Sequence, residues 1–421
     1  MILAASKLFT VTQVLQDKWW LAVLSLFVGL LMTPLMRWVA YHFKIVDKPD
    51  NLLKPHGRTV AYLGGVSMCI ALLAGLTGYL CILPDFDRLW ERLTTDVASG
   101  TFISGNILGN ADAPGLMFNP IWKIAAIMLS CVLITLVGLL DDLFVLTPRQ
   151  KIIGQVTAAA ILIVGGVAAQ MSIMFLYPIM GKPPVWLVLP LSSVMCATLV
   201  ICTCNATNLL DGLDGLCGGV TGIISIGFLI LAIWLAEWGN FPRNDGIRLA
   251  LCLAMAGAVI GFLPYNLPPA SIFMGDAGSM LLGFFVAVMM CLFCREGTAR
   301  WFFAACVIFA LPIMDTGLAV VRRLLSGKRI FEGDRSHLYD QLVDRGMSVK
   351  QVVAMFYFLS VAAAVIGVLA AVYLQFRYAL PLYAVLLLIV AGAFRRLGMF
   401  RPHTHQPPSD VDKQPPGNAT K

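Results

Sequence analysis

The chain has 421 residues, 59% of them hydrophobic and only 13% charged, with a net charge of +7. Soluble globular domains carry roughly 25% charged residues, so the composition excludes one and points to a polytopic membrane protein. Apolar runs near 20 residues recur along the whole chain, which one large soluble core does not require.

Residues Met1 to Trp20 carry Lys7 and Lys18 but no small-residue cleavage site after a short apolar core. The run from Trp19 to Ala40 therefore reads as a retained first span. Eleven apolar segments lie near 19–40, 60–83, 121–140, 151–170, 184–204, 216–238, 248–264, 278–294, 301–320, 351–374 and 379–394. Only helices satisfy their own backbone groups in lipid at such lengths. The expected fold is all-α, an integral membrane helical bundle of about 11 transmembrane helices. Because spans alternate, the polar stretches form two sets, and one set holds 19 of the 30 Lys and Arg. The positive-inside bias makes that set cytoplasmic, with the N-terminus outside and the C-terminus inside.

Every unusual polar segment belongs to the cytoplasmic set: 42–59, 141–151, 205–215, 265–277 and 321–350. On the other side, residues 84–120 read as a longer, mildly acidic loop without chemistry. The Pro-rich stretch after Pro402 reads as a disordered tail, with His403 and His405 solvated. The eleven cysteines lie mostly inside apolar runs and read as small hydrophobes, not as metal or redox pairs.

In chain order, Lys54-Pro-His-Gly-Arg58 followed by Gly64-Gly65 suits either an anion at a helix entry or a basic anchor with a packing glycine pair. Asp141 and Asp142 end the third apolar segment, and at a bilayer edge such a pair raises a pKa or recruits a cation. Lys151, across a short loop, neutralises one of them or holds a phosphate. Between Asn205 and Gly219 stand Asn208, Asp211 and Asp214; if helical, Asp211 shares a face with each of the other two. Three prolines in 264–269 argue against a continuous helix, so a loop or re-entrant segment precedes Asp276. Asp276, flanked by Gly275 and Gly278 with no cation next to it in sequence, suits Mg²⁺. The last segment is a basic loop with His337 near Asp334, Arg335 and Asp340, able to grip a diphosphate or a sugar. Carboxylates for Mg²⁺ and cations for phosphates are the equipment of phosphoryl transfer, and the setting implies that one substrate is a lipid.

These motifs carry a resemblance: Arg58-Thr…Leu63-Gly-Gly, Gly138-Leu-Leu-Asp-Asp, Asn205-x-x-Asn-Leu-x-Asp-Gly-x-Asp-Gly-Leu, Phe273-Met-Gly-Asp-Ala-Gly-Ser and the His337 loop. The chain resembles the polyprenyl-phosphate N-acetylhexosamine-1-phosphate transferases, glycosyltransferase family 4. The resemblance implies a single transmembrane catalytic domain over 1–400, a cytoplasmic tail over 401–421 and an active site at the cytoplasmic face of a bacterial inner membrane. The implied reaction moves a sugar 1-phosphate from a UDP-sugar to polyprenyl (undecaprenyl) phosphate and releases UMP. It implies Mg²⁺, with Mn²⁺ as the substitute ion, and partners that are substrates and membrane, with room for a homodimer and no nucleic acid.

The resemblance also assigns roles. Asp276 is the metal ligand, and Asp141 and Asp142 act near the lipid phosphate, one of them as base. Asn208, Asp211, Asp214 and Phe273 frame the uridine, and Asn266 lies near metal and diphosphate. Lys151, Arg58 and Arg335 bind substrate, and His337 is catalytic. Two departures stand out: Ala61 replaces a usual proline, and His337-Leu-Tyr-Asp340 replaces a run of histidines. The second leans toward the N-acetylglucosamine-1-phosphate branch and away from phospho-N-acetylmuramoyl-pentapeptide transferase. A transporter would place its acids at mid-span within internal repeats, whereas these cluster at span ends.

Overall fold

The structure is a computed structural model that describes residues 9–47, 59–100, 115–238, 242–294, 299–325, 327 and 337–399, with backbone alone at 242–244. Arg58, Arg335, Asp334 and the 401–421 tail lie outside the described residues. In chain order the elements are α1 (Val11–Leu15), α2 (Trp20–His42), β1 (Val46–Asp47), β2 (Val60–Ala61), α3 (Gly64–Cys81), α4 (Phe86–Ala98), α5 (Pro120–Phe144) and α6 (Pro148–Val164). There follow α7 (Ile173–Met180), α8 (Val185–Leu210), α9 (Leu216–Glu237), α10 (Pro242–Asn266), α11 (Gly275–Cys294), α12 (Ala299–Ile308), α13 (Ala310–Leu325), α14 (Leu338–Asp344), α15 (Val349–Tyr373) and α16 (Phe376–Arg396).

Among the described residues, nine helices are long and apolar enough to cross a membrane: α2, α3, α5, α8, α9, α10, α11, α15 and α16. The pair α12–α13 makes a tenth crossing if taken as one span, bent by 72°. The segment expected at 151–170 forms α6, 17 residues long, which runs back along α5: Trp122 near the start of α5 donates its indole N–H to the carbonyl of Val164 at the end of α6, at 3.0 Å. The polar stretch 84–120 is not simply a loop, because α4 occupies its first part with an amphipathic helix.

The helix entries follow from local chemistry. Asn119 caps α5, its Oδ1 accepting the N–H of Ile121 at 2.9 Å, with Pro120 in the first turn. Thr147 with Gln150 caps α6, and Ser348 with Gln351 caps α15, each as a reciprocal pair. The α6 cap matters for function because it fixes Lys151 in the first turn.

Helix α11 is the hub: its apolar stretch is wholly buried, packed by α5, α8, α3 and α12. Without a hydrophobic force between helices in lipid, small residues permit such approach. A Cβ on Gly138 of α5 would run into the backbone of Asp276 and Ala277, and one on Gly65 of α3 into the backbone of Ala277 and Gly278. The Gly64–Gly65 pair is therefore a packing seam.

The proline-rich segment is partly as expected. Helix α10 nonetheless runs through Pro264 to Asn266, forgoing the one helical hydrogen bond that Pro264 cannot donate. The chain from Leu267 onward then forms a loop laid across β2: Phe273 donates its N–H to Ala61 at 2.8 Å. Strands β1 and β2 pair antiparallel, Val46 opposite Ala61. At the other end of the bundle, α1, α4 and the starts of α5 and α10 surround a cavity of about 730 Å³.

Candidate active site

Four helix ends meet at one point: the C-termini of α5 and α8 and the N-termini of α6 and α11. Asp141 and Asp142 close α5, but they face different partners. Lys151 from α6 bridges Asp141 and Asp276, at 2.8 Å from the Oδ2 of the latter. Asp142 instead accepts the backbone N–H groups of Asp276 at 2.8 Å and Ala277 at 3.2 Å. The first N–H groups of a helix have no partner within it, so α11 is capped by a residue of another helix. Asp141 also accepts the N–H of Leu146 at 2.7 Å, which shapes the turn into α6.

The absence of a cation beside Asp276 in sequence does not carry into the fold. Lys151, 125 positions away, supplies its ammonium because α6 folds back along α5. On the other side of Asp276, Asn208 donates to Oδ1 at 2.7 Å and to Ser279 Oγ at 3.0 Å. Five sequence-selected side chains thus converge: Asp141, Asp142, Lys151, Asn208 and Asp276.

The other selected residues stand around this core. Helix α8 ends at Leu210, so Asp211 is its C-cap and Asp214 lies in a turn; they do not share a helical face. Burial, then the like charges of Asp276, Asp142 and Asp214, push the Asp211 carboxyl well above the ordinary range. Asp214 turns the other way and accepts the N–H of Ala270 at 2.9 Å. Asn266 is engaged with backbone: its Oδ1 accepts from Gly215 at 3.1 Å and its Nδ2 donates to Ile272 at 3.0 Å. It ties the α8–α9 turn to the proline loop. Phe273 meets Tyr62 edge to face at 6.0 Å.

Three residues passed over in the sequence join this end of the bundle. Burial and the carboxylates of Asp47 and Asp142 push the Tyr62 phenol up, which keeps it a proton donor. Asp315 of α13, fully buried, lies 2.9 Å from His337 Nδ1; its signal was an acid within the apolar run 301–320. Tyr339 stacks on His337 at 5.6 Å and donates its hydroxyl to Leu209 at 3.1 Å.

The donors suit a hard divalent cation. Asp141, Asp276 and Asp211 bring oxygen ligands, and among the described residues Lys151 is the cation paired with Asp141 and Asp276. Among the described residues no three His, Cys, Asp or Glu side chains converge as a ready-made cage. Mg²⁺ is typically held by one or two carboxylates and by substrate phosphates, so the residues fit an ion that binds with its substrate.

The chain also matches known proteins. The family model described as glycosyl transferase family 4 matches residues 124–294. That range contains the whole acid–lysine cluster and excludes Asp315 and His337. A Bacillus subtilis (strain 168) protein named probable undecaprenyl-phosphate N-acetylglucosaminyl 1-phosphate transferase is 27% identical over 80% of each chain. A Mycobacterium leprae (strain TN) protein named decaprenyl-phosphate N-acetylglucosaminephosphotransferase is 33% identical over 55% of this chain and 61% of its own length. A Carboxydothermus hydrogenoformans phospho-N-acetylmuramoyl-pentapeptide-transferase is 32% identical over 56% of this chain and 72% of its own. The chain thus spans four-fifths of the first relative and about three-fifths of the mycobacterial one. With the packed helices, the converging acids and these matches together, the chain belongs to glycosyl transferase family 4.

Proposed function

We propose that this protein transfers N-acetylhexosamine 1-phosphate from a UDP-sugar to polyprenyl phosphate, giving a polyprenyl-diphospho-sugar and UMP. The observation that carries the reading is the meeting of Asp141, Asp142, Lys151, Asn208 and Asp276 at one end of a membrane bundle. The names of the relatives in the N-acetylglucosamine branch support it.

In this reading an oxygen of the lipid phosphate attacks the phosphorus bearing the sugar. The bond from that phosphorus to the bridging oxygen breaks, and UMP leaves with it. The nucleophile is already anionic, so positioning and charge neutralisation supply most of the acceleration. Lys151 holds a phosphate oxygen, and Asn208 orients the Asp276 carboxylate. Asp142, bound to the α11 N-terminus, sets where Asp276 stands, and Asp141 is the carboxylate left for the lipid phosphate. Asp211, at the end of α8 beside this cluster, frames the nucleotide with Asn208 and Asp214. Mg²⁺ on Asp276 supplies further charge neutralisation when bound.

The Lys and Arg asymmetry supports a cytoplasmic position for this end at a bacterial inner membrane. There it meets soluble UDP-sugar and the head of the lipid together. The test is a panel of UDP-sugars incubated with purified protein and undecaprenyl phosphate, with and without Mg²⁺. UMP and lipid-linked sugar formed in equal amounts support the reading; no UMP from any N-acetylhexosamine donor overturns it.

A further inference from the structure

Asp315 stands in α13 inside an otherwise apolar stretch, and its carboxylate is fully buried. A charge so placed persists only when it is paired or hydrogen-bonded. Its two oxygens have separate duties. Oδ2 lies 2.9 Å from His337 Nδ1, and Oδ1 accepts the N–H of Leu338 at 2.6 Å. Leu338 opens α14, so one carboxylate holds both the imidazole and the helix that follows it.

The pairing also selects a tautomer. A carboxylate accepts and does not donate, so the ring nitrogen facing it carries the proton. Nδ1 is then N–H, and Nε2 is the nitrogen left for chemistry. The ring is fixed in its plane as well: Tyr339 stacks on it with an interplanar angle of 9°. The Tyr339 hydroxyl reaches Leu209, and its ring fills the space where Gly212 has no side chain. Leu209 and Gly212 flank Asp211, at the edge of the acid cluster.

We propose that Asp315 is a positioning residue that holds His337 with its proton on Nδ1 and Nε2 toward the substrate diphosphate, and that Tyr339 ties this imidazole to the turn at 209–214. The proposal rests on reading His337 as a residue of the transferase site. It accounts for the missing histidine run: Tyr339 occupies the place of a second histidine and acts as a strut.

The substitution Asp315→Asn tests it. With Oδ1 still taken by Leu338, the amide Nδ2 would donate to His337 Nδ1 and drive the proton to Nε2. In serine proteases an Asp→Asn change of this kind yields the wrong tautomer and about a 10⁴-fold loss of kcat. The full chain, labelled with ¹⁵N-histidine in nanodiscs, carries five histidines, and His337→Ala identifies the signal of His337. The expected result is the Nδ1–H form in the native protein and in Asp315→Glu, and the Nε2–H form in Asp315→Asn. On the proposed reaction, kcat in Asp315→Asn falls roughly 10²-fold or more while KM for the UDP-sugar changes little. An Nε2–H form in the native protein, or an unchanged tautomer in Asp315→Asn, overturns the proposal. A purely structural role would lower the melting temperature of both Asp315 variants alike, without moving the proton. If the native protein releases no UMP from any donor, the transferase reading fails, and the tautomer still decides the positioning claim.

Discussion

The carboxylate of Asp142 caps α11 in its first turn, accepting the Asp276 N–H at 2.8 Å. Two adjacent acids therefore have different work. Asp142 completes the hydrogen bonding of the α11 N-terminus, whose partial positive charge favours an anion. Asp141 is bonded to Lys151. We expect Asp142→Asn to lower the melting temperature, because the amide keeps one acceptor oxygen but cannot accept the second N–H of the α11 N-terminus, about 1–2 kcal/mol. Asp141→Asn should abolish UMP release with a smaller change in melting. Thermal unfolding in nanodiscs beside a turnover assay separates the two. Equal destabilisation by both substitutions would contradict the division of labour.

Lys151 neutralises two carboxylates from different helices. Replacement by Met leaves Asp141 and Asp276 side by side without their cation. Turnover should fall by roughly 10²–10³-fold, as when one preorganised charge is lost from a phosphoryl or acyl site. The variant should also melt earlier, and Mg²⁺ should raise its melting point more than that of the native chain. Melting curves with Mg²⁺ and with EDTA give the answer; no Mg²⁺ response in Lys151→Met would argue against the acids as a cation site.

Gly138 lies against the backbone of Asp276 and Ala277 with no room for a Cβ. Gly138→Ala should force α5 and α11 apart, costing about 1–3 kcal/mol as overpacking does, and should move Asp141 and Asp142 off Asp276. Gly392→Ala on α16 meets open space and serves as the control, with unchanged turnover. A fully active Gly138→Ala enzyme would mean that this helix contact does not set the site.

Burial pushes the Asp340 carboxyl up to about 6, against the opposing pull of His337 and its backbone N–H. Its unfolded value is 3.8, so the folded chain binds the extra proton between those two values. Stability from this group is complete below pH 3.8 and lost as pH rises through about 6. Asp340→Asn keeps an acceptor oxygen but cannot ionise. It should therefore melt higher than the native chain at pH 7.5, with the gap narrowing below about pH 6 and closing near pH 3.8. A gap that grows on acidification would reverse the assignment.

The one-dimensional pattern carried the membrane character, the helix count to within one or two, and the polar ends. Apolar length is a local property, and lipid leaves the backbone no alternative to helix. The acids at 141–142, 211–214 and 276 were legible because charge beside an apolar run is costly enough to need a reason. The break between α12 and α13 was not, since apolarity alone does not say where a helix stops.

The stretch from Asn205 to Gly219 holds polar residues between two spans. By itself the sequence determined that these residues sit at a span end with the other acids, because spans alternate. Only the tertiary structure decided what each does. Asn208 turns to Asp276, Asp214 to the proline loop, and Gly212 makes room for Tyr339. The same holds for Lys151 beside Asp276 and Asp315 beside His337, pairs 125 and 22 residues apart. Their meeting depends on which helices pack together, and that is set by close approach around α11, not by any local pattern.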